Sequence, residues 1–264
     1  MKLFARHLGS AHARPVLIMH GLFGSSDNWM RIGKALGEKY SVYLLDLRNH
    51  GNSPHSETHT YPAMTEDVRE FLNDHGIDQA TLIGHSMGGK VAMLLAQQYP
   101  HKVQKLVVVD VAPKVYSTAF FEQLLSALLS LDLSRLRSRQ DADAQLASRI
   151  PNSVIRNFLL KNLARDEEGR FYWRANLPVL YRSLREIGDT IPEGEPFTGP
   201  TLFIRGGNSP YIQPEDEPLL RSRFPTAEIV TIPGAGHWVH YEAPEAFLRV
   251  VENFLESRVP GASE

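Results

Sequence analysis

The sequence predicts an α/β fold with a mostly parallel central sheet, helices on both faces of the sheet and an inserted helical cap. Short apolar runs rich in Val, Ile and Leu end in Gly, Asp or Pro, which is typical of buried parallel strands. Segments with helical spacing lie between these runs, and this alternation indicates a sheet covered on both faces. From Lys114 to Pro196 the pattern keeps helical spacing and contains no convincing strand, which predicts the cap.

The apolar runs predict strands, and the amphipathic segments predict helices. The predicted strands are residues 16–19, 41–45, 80–84, 103–110, 200–205 and 228–232, and the predicted helices are 63–75, 87–99, 120–131, 154–163 and 244–256. We therefore expect a core domain of residues 1–113 and 197–264, with the cap at 114–196. The tail after Arg258 is expected to be frayed.

Composition excludes several classes of function. The formal net charge of -2 over 264 residues gives no basic field for nucleic acid or for an anionic membrane. The chain has no cysteine, so disulfides and thiolate sites are excluded, as expected for a protein of the reducing cytoplasm. The charged N-terminal segment lacks the apolar centre of a signal peptide, and no apolar run predicts stable membrane association. We expect a cytoplasmic monomer or small homo-oligomer.

The segment Gly84-His85-Ser86-Met87-Gly88 has the form Gly-x-Ser-x-Gly. The pattern alone is weak, but it falls between a predicted strand and a predicted helix, which is the context of a nucleophile elbow. Glycines relieve crowding in that turn, and the serine hydroxyl projects at the helix N-terminus. Ser86 is therefore the predicted nucleophile, and an incidental serine in a glycine-rich turn is the alternative.

A serine hydroxyl needs a base within hydrogen-bond reach, and histidine suits neutral pH. His237 lies in the sequence GAGHW after the last predicted strand, at the edge where open α/β sheets build their sites. Its position also satisfies the chain order serine, acid, histidine. We predict His237 as the base, with His240 as the alternative.

Two places compete for the acid that orients this histidine. The turn GGNSPY at residues 206–211 contains no carboxylate, and its Asn208 or Ser209 could orient an imidazole but not neutralise it. Asp110 ends the strand that follows the strand of the serine, and a carboxylate there needs a partner to offset its desolvation. We predict Asp110 as the acid and a structural role for Asp46, which also lies at a strand end.

Attack on a carbonyl creates an oxyanion that needs two N–H donors. The elbow supplies the amide of Met87. The segment HGLFG at residues 20–24 follows another predicted strand, and we predict that the amide of Leu22 is the second donor, with Phe23 as the alternative. A tight turn around a buried histidine is the competing interpretation of this segment. No metal or other cofactor is expected, because the histidines form no cluster with ligand spacing.

Several segments together resemble one family: HGLFGS at 20–25, DLRNHGNS at 46–53, GHSMGGK at 84–90, GGNSPY at 206–211 and GAGHWVH at 234–240. The chain is similar over nearly its whole length to the YbfF-type bacterial esterases, which have the α/β-hydrolase fold. DLRNHG, YPAM at 61–64 and GGNSPY are the more particular parts of the likeness. The resemblance implies an acid after the earlier strand, at Asp110, and hydrolysis of short-chain esters and acyl-CoA thioesters beneath a small helical cap.

The expected partner is therefore a small-molecule ester or acyl-CoA substrate. Phe23, Trp173 and Trp238 are predicted to line its pocket. Cap arginines are hypothesised to bind the phosphates of coenzyme A: Arg135, Arg137, Arg139, Arg149 and Arg156. The alternative functions are lactonase, carbon-carbon bond hydrolase or perhydrolase, which the same residues would support, and a non-catalytic small-molecule receptor.

Overall fold

A computed structural model describes residues 1–257 of the chain. Its strands are β1 (Ala5–Leu8), β2 (Pro15–Met19), β3 (Ser41–Leu45), β4 (Ala80–His85), β5 (Val103–Val109), β6 (Leu163–Arg165), β7 (Phe171–Trp173), β8 (Thr201–Gly206) and β9 (Ala227–Ile232). A seven-stranded sheet has the order β1-β3-β2-β4-β5-β8-β9. Only the β1–β3 pair in this sheet is antiparallel, so the predicted mostly parallel sheet is confirmed.

Helices cover both faces of this sheet. They are α1 (Met30–Leu36), α2 (Tyr61–Asp74), α3 (Met87–Gln98), α4 (Ala119–Leu129), α5 (Arg139–Leu146), α6 (Ser153–Leu160), α7 (Leu177–Arg182), α8 (Leu184–Gly188), α9 (Glu217–Arg223), α10 (Val239–Glu242) and α11 (Pro244–Glu256). Side chains alternate along β2, so Leu17 and Met19 pack with α2 and α3, while Val16 and Ile18 pack with α1 and α11. The sheet thus separates two apolar cores.

The helix predicted at residues 63–75 begins at Tyr61 in the structure, and its first turn contains a proline. The Thr60 side chain accepts a hydrogen bond from the amide of Ala63, and Pro62 lies in the first turn. Proline is favoured there, since its fixed φ fits the helix and its missing N–H leaves no donor unsatisfied.

The segment between β5 and β8 differs from the prediction in one respect. Its helices α4 to α8 agree with the expected helical character, but β6 and β7 form an antiparallel hairpin, so the expectation of no strand is wrong. The amide of Arg170 donates to the Asp166 carboxylate, and Gly169 supplies a positive φ in the connection. Strands of three residues are too short to show an alternating pattern in sequence. The domain boundaries at 114 and 196 stay a prediction.

The edge strand β1 was not predicted either. Its residues, ARHL, pair with β3 at the rim of the sheet, where polar side chains face solvent. None of the helices within residues 1–257 is long and apolar enough to cross a membrane. The expected fraying after Arg258 lies outside the described residues.

Candidate active site

Ser86 occupies a strained turn between β4 and α3. Its backbone has φ 52° and ψ -118°, which a residue other than glycine rarely adopts. A Cβ added at Gly84 would lie 2.3 Å from the carbonyl oxygen of Gly88, and one at Gly88 would lie 2.6 Å from that of Met19. Both glycines are therefore required for the turn, as the nucleophile-elbow interpretation predicts.

Asp110 lies directly after β5 and is fully buried. Its Oδ1 accepts the amide hydrogen of Gly206 at 3.0 Å, and its Oδ2 accepts the hydroxyl of Ser209 and the Nδ1–H of His237, the latter at 2.7 Å. These donors compensate the carboxylate for its lost hydration. The structure thus joins the predicted acid to the predicted base.

His237 is held by contacts on its ring and on its backbone. Tyr211 stacks on the imidazole with the ring centroids 3.7 Å apart and the planes 17° from parallel. The carbonyl oxygen of His237 accepts a hydrogen bond from Nε2 of His85 at 2.9 Å. Because Nδ1 donates to Asp110, the opposite ring nitrogen, Nε2, is left free to accept a proton.

The alternative base, His240, has a different environment. Its ring is buried and stacks on Trp29 with centroids 3.8 Å apart and planes 8° from parallel. Burial lowers the pKa of His240 to about 3. Within residues 1–257, the imidazole that forms a hydrogen bond with Asp110 is that of His237. The geometry therefore favours His237 as the base.

Ser86 and His237 line one cavity between the sheet edge and the segment that follows β5. Its wall is mostly apolar and includes Leu22, Phe23, Phe120, Phe121, Leu124, Ile155, Phe158, Leu159 and Trp238. The cavity volume is about 30 Å³, which is room for a water molecule and less than an ester substrate needs. A groove of about 400 Å³ adjoins it along Ile155, Phe158 and Trp238.

The predicted pocket aromatics separate into two groups. Phe23 and Trp238 line the cavity with Ser86. Trp173 lies in β7, opposite Leu163 in the hairpin register, and packs partly buried against the main apolar core. The structure does not bring Trp173 to this cavity, because the unpredicted hairpin fixes its position.

Leu22 and Met87 lie beside Ser86, as predicted for the two oxyanion donors. The Met87 amide is at the N-terminus of α3, where no intrahelical acceptor exists. In the described chain, residues 1–257, the Leu22 amide donates to no protein acceptor. The alternative donor, the Phe23 amide, already donates to Nε2 of His50 at 3.3 Å. The geometry therefore favours Leu22.

A sequence profile of the alpha/beta hydrolase fold matches residues 14–244. The chain belongs to the α/β-hydrolase family. Over 94% of its length this α/β hydrolase is 44% identical to a Xenopus laevis protein named sn-1-specific diacylglycerol lipase ABHD11, 82% of which is covered. It is 38% identical to the Escherichia coli esterase YbfF, with 91% of this chain and 92% of that protein covered. The predicted resemblance to YbfF-type esterases is confirmed.

A solved structure agrees with this assignment. The α/β hydrolase superposes on a marine microorganism esterase with a TM-score of 0.93 at 40% sequence identity, covering 96% of this chain and 99% of that one. The alignments with the named relatives and the superposition on this esterase each cover more than 90% of the chain. They therefore extend beyond the sheet into the segment between β5 and β8.

The proposed coenzyme A arginines do not reach the cavity of this α/β hydrolase. Arg156 is buried, and its guanidinium donates to the carboxylate of Asp143 at 2.7 Å and to the carbonyl oxygen of Ile150 at 2.8 Å. It therefore ties α5 to α6, which corrects the hypothesis for this residue. The others, Arg135, Arg137, Arg139 and Arg149, are exposed and do not line the cavity.

Some contributors to the site had no sequence signal of their own. His85 occupies one of the two variable positions of Gly-x-Ser-x-Gly, and Tyr211 ends the GGNSPY segment. The role of each depends on a contact with His237, which is distant in sequence. Asp46 has the structural role expected of it, since its carboxylate accepts the amide hydrogens of Ser26 and Asn52. Within residues 1–257, no group of three or more His, Cys, Asp or Glu side chains is arranged to hold a metal ion.

Proposed function

We propose that the protein hydrolyses carboxylic esters through an acyl-enzyme on Ser86. The observation that carries this proposal is the 2.7 Å hydrogen bond from His237 to buried Asp110, beside a serine on a strained elbow in the same cavity. A carboxylate at Nδ1 holds the neutral imidazole in the tautomer whose Nε2 can accept a proton, and it stabilises the imidazolium that forms when the serine proton is taken. The arrangement therefore suits nucleophilic catalysis by a hydroxyl group.

The proposed reaction has two halves. Nε2 of His237 takes the hydroxyl proton as Oγ of Ser86 attacks the ester carbonyl carbon, and the amides of Leu22 and Met87 stabilise the oxyanion. The tetrahedral intermediate then expels the alcohol, which receives its proton from His237. A water molecule, deprotonated by the same histidine, attacks the acyl-enzyme and releases the carboxylic acid with Ser86 restored.

The cavity wall indicates the substrate class. An apolar wall favours uncharged esters with aliphatic or aromatic groups, because a buried charge without a partner is costly. The names of similar proteins, a diacylglycerol lipase and an esterase, agree with ester substrates. We extend the proposal to acyl-CoA thioesters, since attack on a thioester carbonyl uses the same groups. A cytoplasmic location and a monomeric or small homo-oligomeric state stay predictions.

A fluorophosphonate probe tests the nucleophile. The wild-type protein is expected to be labelled at Ser86 and to hydrolyse short p-nitrophenyl esters, whereas a folded Ser86→Ala variant should do neither, because Ser86 supplies the hydroxyl that His237 activates in the proposed mechanism. Mass spectrometry of the labelled peptide locates the adduct. Folded wild-type protein that neither reacts nor hydrolyses esters would favour the receptor alternative.

Kinetics with an acyl-CoA test the extension of the proposal to thioesters. Substituting glutamate at Arg135 and Arg137 is expected to leave KM for a short acyl-CoA unchanged, because neither side chain lines the cavity or the groove that adjoins it. Steady-state kinetics with the acyl-CoA and with a p-nitrophenyl ester measure this. A rise in KM for the acyl-CoA alone would restore the hypothesis that these arginines bind its phosphates.

A further inference from the structure

The backbone of Phe23 is held from both sides by side chains that the proposed reaction does not use. Its amide donates to Nε2 of His50 at 3.3 Å, and its carbonyl oxygen accepts a hydrogen bond from Nδ2 of Asn162 at 2.9 Å. Phe23 has φ 64°, in the left-handed region that non-glycine residues rarely adopt. These two contacts therefore hold a strained residue directly after Leu22, the proposed oxyanion donor.

His50 is built as a hydrogen-bond acceptor. Its Nδ1–H donates to the carbonyl oxygen of Arg48 at 3.0 Å, which fixes the tautomer and leaves Nε2 unprotonated. The ring is fully buried, and burial lowers the pKa of His50 to about 3. His50 thus stays neutral at physiological pH and accepts the amide hydrogen of Phe23.

Asn162 approaches Phe23 from the other side, out of the segment between β5 and β8. It follows α6 and is buried, and its Nδ2 also donates to the carbonyl oxygen of Leu159 at 3.2 Å. Its own carbonyl oxygen accepts the amide hydrogen of Arg174 at 2.8 Å, directly after β7. The side chain therefore joins α6 to Phe23, while the backbone of the same residue is tied to the hairpin.

We propose that His50 and Asn162 are positioning residues that fix the Leu22 amide for the oxyanion. The inference rests on the proposed function. Oxyanion donors act only when they are preorganised, so a loop free to rotate would lose stabilisation of the transition state while still admitting substrate. Through Asn162, the segment that covers the cavity also takes part in assembling the oxyanion site.

The test replaces Asn162 with leucine, which has a similar size and no donor. We expect kcat for a short p-nitrophenyl ester to fall about tenfold with little change in KM, a smaller loss than removal of an oxyanion donor causes. Affinity for a boronic acid that forms a tetrahedral adduct on Ser86 should fall by the same factor. His50→Phe should behave alike, and His50→Gln, which restores an acceptor, should recover part of kcat.

Asn176→Leu is the matched control. The Asn176 side chain makes a hydrogen bond of the same type, to Oδ1 of Asn49 at 3.2 Å, and within residues 1–257 it makes none to Phe23. Thermal denaturation identifies the variants that remain folded. If Asn162→Leu does not fold, Asn162→Ala replaces it in the test. Equal losses in the Asn162 and Asn176 variants, or a change confined to KM, would overturn the inference. Wild-type protein without esterase activity would instead overturn the proposed function.

Discussion

Replacing Asp110 with asparagine is expected to lower kcat for ester hydrolysis by about 10⁴-fold, with KM changed far less. An amide NH₂ facing Nδ1 of His237 would favour the tautomer with the proton on Nε2, which could not accept the proton of Ser86. Asparagine also tolerates the φ of 52° at this position, so the backbone is preserved. Steady-state kinetics with a p-nitrophenyl ester, beside circular dichroism of the folded variant, measure the effect.

Ser209→Ala is the control for this variant. Ser209 donates to the same carboxylate oxygen as His237, but the amide of Gly206 still donates to Asp110 when the hydroxyl is removed. Loss of this donor should reduce kcat by about 10- to 100-fold at most, since a hydrogen bond to a charged group contributes about 1.5–3 kcal/mol. If Ser209→Ala were more damaging than Asp110→Asn, our assignment of the acid would be wrong.

The placement of Asp110 shows how far a sequence can locate a site. Parallel strands β4 and β5 are neighbours, so their C-terminal ends meet at one edge, and the apolar runs before Ser86 and Asp110 were enough to place both residues there. Which turn would approach the carboxylate was not deducible. The contacts from Gly206 and Ser209 depend on how the loop after β8 folds back, which no local pattern determines.

The oxyanion loop shows the same limit. Glycines at 21 and 24 predicted a close backbone approach, and a Cβ at Gly21 would indeed lie 3.2 Å from the Cβ of Ser86. The choice between Leu22 and Phe23 stayed open in the sequence because His50, 27 positions beyond Phe23, decides it through a tertiary contact. Trp173 was predicted to line the pocket but lies in β7. The reason is related, since strands as short as β6 and β7 leave no periodic pattern in the sequence.

Buried histidines give the second large expected effect, a steep loss of stability in acid. Burial lowers the pKa of His20 to about 4 and that of His50, His59 and His240 to about 3, from an ordinary 6.5. His20 and His50 each accept a backbone amide hydrogen at Nε2, which requires the unprotonated ring. These side chains are therefore neutral in the folded protein at neutral pH.

The direction of the effect follows from proton binding. Above about pH 6.5 neither the folded nor the unfolded chain protonates these imidazoles, so their contribution to stability is complete there. As the pH falls below that value only the unfolded chain binds protons, and the free energy of unfolding decreases by about 2 kcal/mol for each histidine by pH 5. The contributions of His20, His50, His59 and His240 all have the same sign, so we expect the free energy of unfolding to fall steeply between pH 6.5 and pH 5.

Urea denaturation at pH 8, 6 and 5 measures this dependence, and His240→Phe isolates one contributor. Phenylalanine can keep the stacking on Trp29 while removing the group that titrates, so the variant should lose about 2 kcal/mol less than the wild type between pH 8 and pH 5. His101→Gln, at an exposed position, is the matched control variant. Identical slopes for the wild type and His240→Phe would mean that His240 is protonated in the folded state or gains no proton on unfolding, and acid sensitivity would then have to arise elsewhere.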